Sequence, residues 1–289
     1  MKNDFQIVIT GASGFVAKNI RKYLSENNIK LISISRKNFK NFKGEIKIVS
    51  PNYDEKIILP KIKNSSALIH LVGIGKDSIK YDYKKINVEF TKKIVNLCKK
   101  GNIKKIVFTS GLGVSKTTPL SYFISKYQAE RQIIESSLNY TIFRPSYIIG
   151  KNDHFTKYLR QQITKGEIKI PGSGNYSIQP IYIEDVSKII FKSITSKQFK
   201  NKILDLVGPE LISYNEYVKL FSRGTRTKIK KIDLEKAYHD SIINLNSDFA
   251  IDDLNLLIGD FKGDYKKLHK ISEIKFNSTR EILKSGRLL

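Results

Sequence analysis

A single cysteine, Cys98, stands in 289 residues. One thiol excludes an internal disulfide framework and a cysteine-built zinc site. It shares a helical apolar pattern with Ile94, Val95 and Leu97, so a packed thiol is expected rather than a nucleophile. Histidine is scarce too, with 4 residues, and no His, Asp or Glu set has metal-ligand spacing. Asp252, Asp253, Asp260 and Asp264 cluster loosely around Gly259 and Gly263. Their spacing fits no calcium loop, and caps and turns account for them. No apolar run approaches the roughly 20 residues that cross a bilayer. The first strand pattern begins almost at once, so no signal peptide is expected and a cytoplasmic location is.

Acidic residues are also few: 27 against 52 Lys and Arg, a net charge of +25. Such an excess points to polyanions, either nucleic acid or an anionic membrane surface. Lysine outnumbers arginine, however, and arginine is the better reader of phosphates and bases. The lysines are scattered, with no basic arm or basic–aromatic module. A generally lysine-rich surface explains this pattern better than a dedicated nucleic-acid site, and nonspecific, salt-sensitive contact to polyanions is still expected, with a membrane-peripheral location as an alternative. Oligomeric state is left open.

What is present is a regular alternation. Apolar runs at 5–9, 31–35, 46–49, 67–72, 105–109 and 140–143 read as strands, and amphipathic stretches at 15–24, 83–100 and 122–137 as helices. Strands alternating with helices predict an α/β fold with a doubly wound parallel sheet. Beyond Gly150 the rhythm changes. Helices are expected at 155–165 and 184–195, strands at 180–183 and 204–207, and a capping box at Ser213 and Glu216 opens another helix. Past Lys228 no pattern assigns the elements.

The turn after the first strand reads Thr10-Gly11-Ala12-Ser13-Gly14-Phe15-Val16-Ala17. Gly11 permits a tight turn, Gly14 a close approach of backbone to a pyrophosphate, and Ala17 close packing of helix on sheet. The helix N-terminus then presents free N–H groups and partial positive charge, making Ser13, Gly14, Phe15 and Val16 the phosphate-facing candidates. At the end of the second strand, where an NAD site places an acid for the ribose 2′-hydroxyl, stand Arg36 and Lys37. Two cations suit a 2′-phosphate, so NADP(H) is favoured over NAD(H). Solvated surface cations are the alternative.

Tyr122-Phe123-Ile124-Ser125-Lys126 places a tyrosine and a lysine one helical turn apart on one face. A free phenol has a pKa of about 10. A nearby ammonium lowers it and equips the tyrosine for acid/base work. His70, on a buried strand pattern, is expected to be a satisfied core residue.

The glycine turn and the Tyr-x-x-x-Lys pair together resemble the NAD-dependent epimerase/dehydratase group of the short-chain dehydrogenase/reductase superfamily. The resemblance runs from about residue 5 to 222 through Leu71-Val72-Gly73, Asn87-Val88, Arg144-Pro145 to Gly150, Gln179 to Val186 and Val207 to Glu210. It implies a Rossmann domain over 1–150, completed by about 178–207, and a smaller substrate lobe from 151–177 and 208–289. It implies that Leu71, Val72, Gly73 and Thr109 line the adenosine and ribose, and that Lys126 also holds the nicotinamide ribose. Pro145 and Ile148 would face the nicotinamide. The group's catalytic Ser or Thr would be Ser110, although extended sugar epimerases carry that hydroxyl one position later, where Gly111 stands. Leu112, Tyr147, His154, Phe155 and Gln179 would face the substrate with Ser110.

The short span from Ser110 to Tyr122 is more similar to the atypical branch, which includes the NADPH-binding accessory subunit of respiratory complex I. The implied function is an NADP(H)-dependent oxidoreductase or epimerase acting on a nucleotide-sugar or small carbonyl compound. The alternatives are a non-catalytic NADPH-binding structural or regulatory protein and a polyanion-binding scaffold.

Overall fold

The computed structural model describes residues 5–75, 82–243 and 247–288. Along the chain run β1 (Gln6–Thr10), α1 (Phe15–Glu26), β2 (Lys30–Ser35), β3 (Glu45–Val49), α2 (Glu55–Ile62) and β4 (Ala67–His70). A π-helical segment (Lys84–Glu89) leads into α3 (Phe90–Lys100), then β5 (Lys105–Thr109), α4 (Ser121–Ile134) and β6 (Asn139–Pro145). Next come β7 (Ile148–Ile149), α5 (His154–Thr164), β8 (Glu167–Pro171), β9 (Ser177–Ile178), β10 (Ile181–Tyr182), α6 (Ile183–Thr195) and β11 (Lys202–Leu206). The chain continues through β12 (Ile212–Ser213), α7 (Tyr214–Phe221), β13 (Lys228–Ile232), α8 (Leu234–Ile243), α9 (Ile251–Ile258), α10 (Tyr265–Ser272) and α11 (Thr279–Lys284). No helix among the described residues is long and apolar enough to cross a membrane.

Seven strands form one parallel sheet in the order β11-β6-β5-β4-β1-β2-β3. Its central strands are apolar on both faces: Ile7, Val8 and Ile9 in β1, Leu68 and Ile69 in β4, and Ile106, Val107 and Phe108 in β5 are all buried. Sheets covered by helices on both faces require such runs. Val8 pairs with Ile32 on one side and Leu68 on the other. The connections therefore run one way to β2 and β3 and the other way to β4. The carboxyl ends of β1 and β4 flank this reversal, where open α/β sheets bind ligands.

One core gathers Val8, Ile34, Leu68 and Phe108 of the sheet with Ile58, Ile94, Cys98 and Ile133 of the helices. Burial pushes the Cys98 thiol up to about 12, so it is an inert packed group. The helix expected over 83–100 instead begins with a π turn. The strand expected over 67–72 ends at His70, which pairs with Thr10, the last residue of β1, and with Phe108 of β5.

The chain divides into two compact units. The first takes Met1–Pro145, Ile183–Leu206 and Lys266–Ile274, and the second Ser146–Tyr182, Val207–Tyr265 and Lys275–Leu289. Lys266–Ile274, which the resemblance implies for the smaller lobe, clusters with the first unit. The second unit has its own core, including Leu159, Ile168, Ile178, Tyr217 and Phe221. It contains three two-stranded pairs: β7 with β10 and β8 with β13, both parallel, and β9 with β12, antiparallel. Ser213 caps α7 by accepting from the Glu216 amide at 3.1 Å, as its spacing implies. Arg280 of α11 binds Glu210 and Glu216, tying the C-terminal helix to α7.

Candidate active site

Gly11 has φ +78°, and a Cβ there would lie 3.1 Å from backbone atoms of Leu71 and Val72. Both the backbone conformation and the approach to the end of β4 require glycine. The Ala12 amide donates to the Ile34 carbonyl at 3.1 Å, and the Gly14 amide to the Gly11 carbonyl at 3.0 Å. Gly14 is the N-cap of α1, with no side-chain cap and no acid in the first turn. The first amides of α1 are therefore donors without a side-chain acceptor at the positive end of a helix, a ready anion site. Ser35 Oγ donates to Ser13 Oγ at 2.9 Å, joining the turn to the end of β2, and accepts from the Lys37 amide at 3.3 Å. Arg36 and Lys37 are exposed.

Tyr53 is one residue the sequence reading missed. Its buried hydroxyl accepts from the Gly11 amide and donates to the Ile34 carbonyl, both at 3.2 Å. Nothing in the local pattern marks it, since its partners lie 42 and 19 residues away.

Tyr122 and Lys126 sit one turn apart on α4. Lys126 is buried, and its Nζ donates to the Thr109 carbonyl at 3.2 Å and lies 5.2 Å from the Phe108 ring centre. A Cβ on Gly73 would stand 2.8 Å from this nitrogen, so the loop after β4 lies directly against it. Burial pushes the Lys126 amine down to about 8, with the Glu130 carboxylate opposing.

Asn87 binds that loop and α4 together. Its Oδ1 accepts from the Ile74 amide at 3.0 Å, and its Nδ2 donates to the Ile74 carbonyl at 3.1 Å and to Ser125 Oγ at 2.9 Å. Ser125 Oγ in turn donates to the Tyr122 carbonyl at 2.7 Å.

Burial holds the Tyr122 phenol up at about 12. Proximity to the ammonium was expected to lower it; here Lys126 bonds to Thr109 instead. Ser110 is buried, and its Oγ has no hydrogen-bond partner among the described residues. Its loop is fixed to β6, because the Ser110 amide donates to the Phe143 carbonyl at 2.7 Å and the Leu112 amide to the Pro145 carbonyl at 2.9 Å. His70 is satisfied on both sides, Nδ1 lying 2.8 Å from Thr10 Oγ1 and Nε2 3.1 Å from Thr91 Oγ1. Burial, with the Lys126 charge adding, pushes it down to about 3, so it is neutral and structural.

A model of the NAD dependent epimerase/dehydratase family matches residues 7–206. The chain belongs to this family. The mitochondrial NADH dehydrogenase (ubiquinone) 1 alpha subcomplex subunit 9 of Dictyostelium discoideum is 25% identical over 227 residues, covering 75% of this chain and 63% of that protein. The chain thus spans less than two thirds of that relative's length. The N-acetyl-alpha-D-glucosaminyl-diphospho-ditrans,octacis-undecaprenol 4-epimerase of Escherichia coli O157:H7 is 23% identical over 250 residues, covering 79% of this chain and 75% of that one. The solved structure of MoeE5 in complex with UDP-glucuronic acid and NAD superposes with a TM-score of 0.77 at 18% identity, covering 96% of each chain. At that identity the likeness is one of fold.

Within the family's frame, the first unit carries the glycine turn, Arg36, Lys37, Leu71 to Gly73, Thr109, Ser110, Leu112, Tyr122, Lys126 and Pro145. Tyr147, Ile148, His154, Phe155 and Gln179 belong to the second. There the Tyr147 ring lies 5.4 Å from Phe155, which lies 4.8 Å from Tyr217, an aromatic cluster on that unit's core. His154 opens α5 after the Asp153 cap and is exposed. Gln179 is buried, donating to the Gly208 carbonyl at 3.0 Å and accepting from the Gly263 amide at 2.9 Å, so its amide braces two loops. Among the described residues no group of three or more His, Cys, Asp or Glu could hold a metal ion.

Proposed function

We propose that this protein binds NADP(H) at the carboxyl ends of β1 and β4 and is an oxidoreductase or epimerase of a nucleotide-sugar or small carbonyl compound. The observation that carries this reading is the uncapped N-terminus of α1, set behind a glycine turn that a Cβ at residue 11 would fill. Those amides would hold the pyrophosphate, and Lys126, packed against Gly73, the nicotinamide ribose. Arg36 and Lys37 would take the 2′-phosphate, with no acid beside them in the sequence to repel it. A bound nicotinamide supplies or accepts hydride.

The chain's own groups handle the proton. A phenol held at about 12 is protonated at neutral pH, which suits it to give its proton to a substrate oxygen that is gaining negative charge. Lys126, one helical turn away, would steady the resulting phenolate on leaving the Thr109 carbonyl, to which its Nζ donates at 3.2 Å. Ser110 Oγ, buried and without a partner among the described residues, can donate to the same substrate oxygen.

A second reading has an observation in its favour. Gly111 stands where extended sugar epimerases carry their hydroxyl, and relatives include complex I subunits. A protein that holds NADPH without turnover would need the cradle and not the hydroxyl. Calorimetric titration of cofactor-stripped protein with NADPH and with NADH tests the cofactor reading: tighter NADPH binding supports it, and equal or absent binding overturns it. A turnover screen with nucleotide-sugars and small carbonyl compounds then separates the two readings.

A further inference from the structure

Arg21 lies on the buried stripe of α1 with Ala17, Ile20 and Leu24, and is 1% exposed. All three of its guanidinium nitrogens donate hydrogen bonds. Nε and Nη2 donate to the two Glu45 carboxylate oxygens at 2.5 and 2.7 Å, Nη1 donates to the Ala12 carbonyl at 2.8 Å, and Nη2 also donates to the Lys40 carbonyl at 2.8 Å. The rings of Phe39 and Phe42 lie over it at 4.4 and 5.2 Å. Glu45 accepts in addition from the Phe42 amide at 2.8 Å.

These partners come from two different places. Ala12 is inside the glycine turn. Lys40 and Phe42 belong to the connection from β2 to β3, the segment that starts with Arg36 and Lys37, and Glu45, the first residue of β3, ends it.

We propose that Arg21 is a positioning residue for cofactor choice, holding the glycine turn and the β2–β3 connection in one fixed relation. The inference rests on the NADP(H) reading above. The pyrophosphate and the 2′-phosphate of one dinucleotide are covalently linked, so the groups that bind them must keep a set spacing. Exposed Arg36 and Lys37 on an unanchored connection would offer charge without geometry, and exposed charge is largely screened by solvent. A buried guanidinium is a costly way to add stability, since apolar residues of similar volume often serve as well or better. What it adds is a planar fork that reaches two backbone carbonyls and a carboxylate at once. Lysine cannot do this.

The test uses two variants of the full chain. Arg21→Lys keeps the charge beside Glu45 and loses the fork. The double variant Arg21→Met with Glu45→Gln removes both charges together, so no unpaired buried carboxylate is left to prevent folding, and the introduced side-chain amide can still accept from the Phe42 N–H. Circular dichroism and a thermal melt establish that each is folded, and calorimetry gives the affinities for NADPH and NADH.

The expected result is a loss of NADPH affinity of roughly tenfold or more, the scale of a charge-assisted hydrogen bond, with NADH affinity nearly unchanged. Folded variants that lose both cofactors equally, or neither, overturn the positioning role while leaving the NADP(H) reading intact. Wild-type protein that does not distinguish NADPH from NADH overturns that reading and this inference with it.

Discussion

The Tyr122 hydroxyl rests on Gly111: a Cβ at residue 111 would lie 3.2 Å from the phenol oxygen and 3.3 Å from its ring carbon. The position at which the resemblance places a catalytic hydroxyl in sugar epimerases is therefore in tight contact with the tyrosine. Replacing Gly111 with Ser forces the ring to move. The expected cost is about 1–3 kcal/mol, typical of overpacking, read as a lower urea midpoint with an unchanged slope.

Tyr122→Phe removes the proposed proton donor and leaves the glycine turn. Turnover should fall by about 10²–10⁴-fold, the usual contribution of a positioned acid or base, while NADPH affinity stays the same. Unchanged turnover in a protein that is active would remove Tyr122 from the chemistry.

Arg36→Ala with Lys37→Ala should weaken NADPH binding by roughly tenfold or more, with little effect on NADH, because only the 2′-phosphate loses its partners. Paired calorimetric titrations check this. Equal losses for both cofactors would assign the two cations to the shared part of the dinucleotide.

Lys126 makes stability depend on pH on the alkaline side. Its amine is depressed to about 8 in the folded protein against 10.5 unfolded. Between these values the unfolded chain binds the extra proton, so stability rises as pH rises from about 8 to about 10.5. The integrated change is on the order of 3 kcal/mol. Lys126→Met should abolish this rise, measured by urea unfolding at pH 7, 8.5 and 10.

His70 acts in the acid range. Burial holds it at about 3 against 6.5 unfolded. Its contribution is complete above about pH 6.5 and is lost progressively toward pH 3, on the order of 4–5 kcal/mol in all. His70→Gln should flatten the decline between pH 7 and pH 4. An unaltered slope would mean that other groups carry the acid sensitivity.

The sheet and the cradle were legible because their causes are local. Ile7 to Ile9 and Ala67 to Ile69 are apolar runs that only a strand covered on both faces requires, and Gly11 supplies the positive φ that its turn needs. Tyr122 and Lys126 share a helix face through spacing alone. The limits were local too. Arg21 interrupts an otherwise apolar stripe on α1, a sign of a buried pair, but nothing nearby names Glu45, 24 residues on, as the partner.

The strand β13 escaped notice because Lys228, Lys230 and Lys231 are exposed and only its pairing with β8, some 60 residues earlier, defines it. Amino-acid order thus determined the doubly wound sheet, the glycine turn and the Tyr–Lys pair, since each follows from backbone conformation and hydrophobic period. Tertiary structure alone decided that Tyr53 holds Gly11, that Asn87 ties Ile74 to Ser125, that Lys126 bonds to Thr109, and that Ser110 Oγ is buried without a partner among the described residues. Hydrogen bonding and desolvation depend on which distant groups meet, and folding the whole chain determines those meetings.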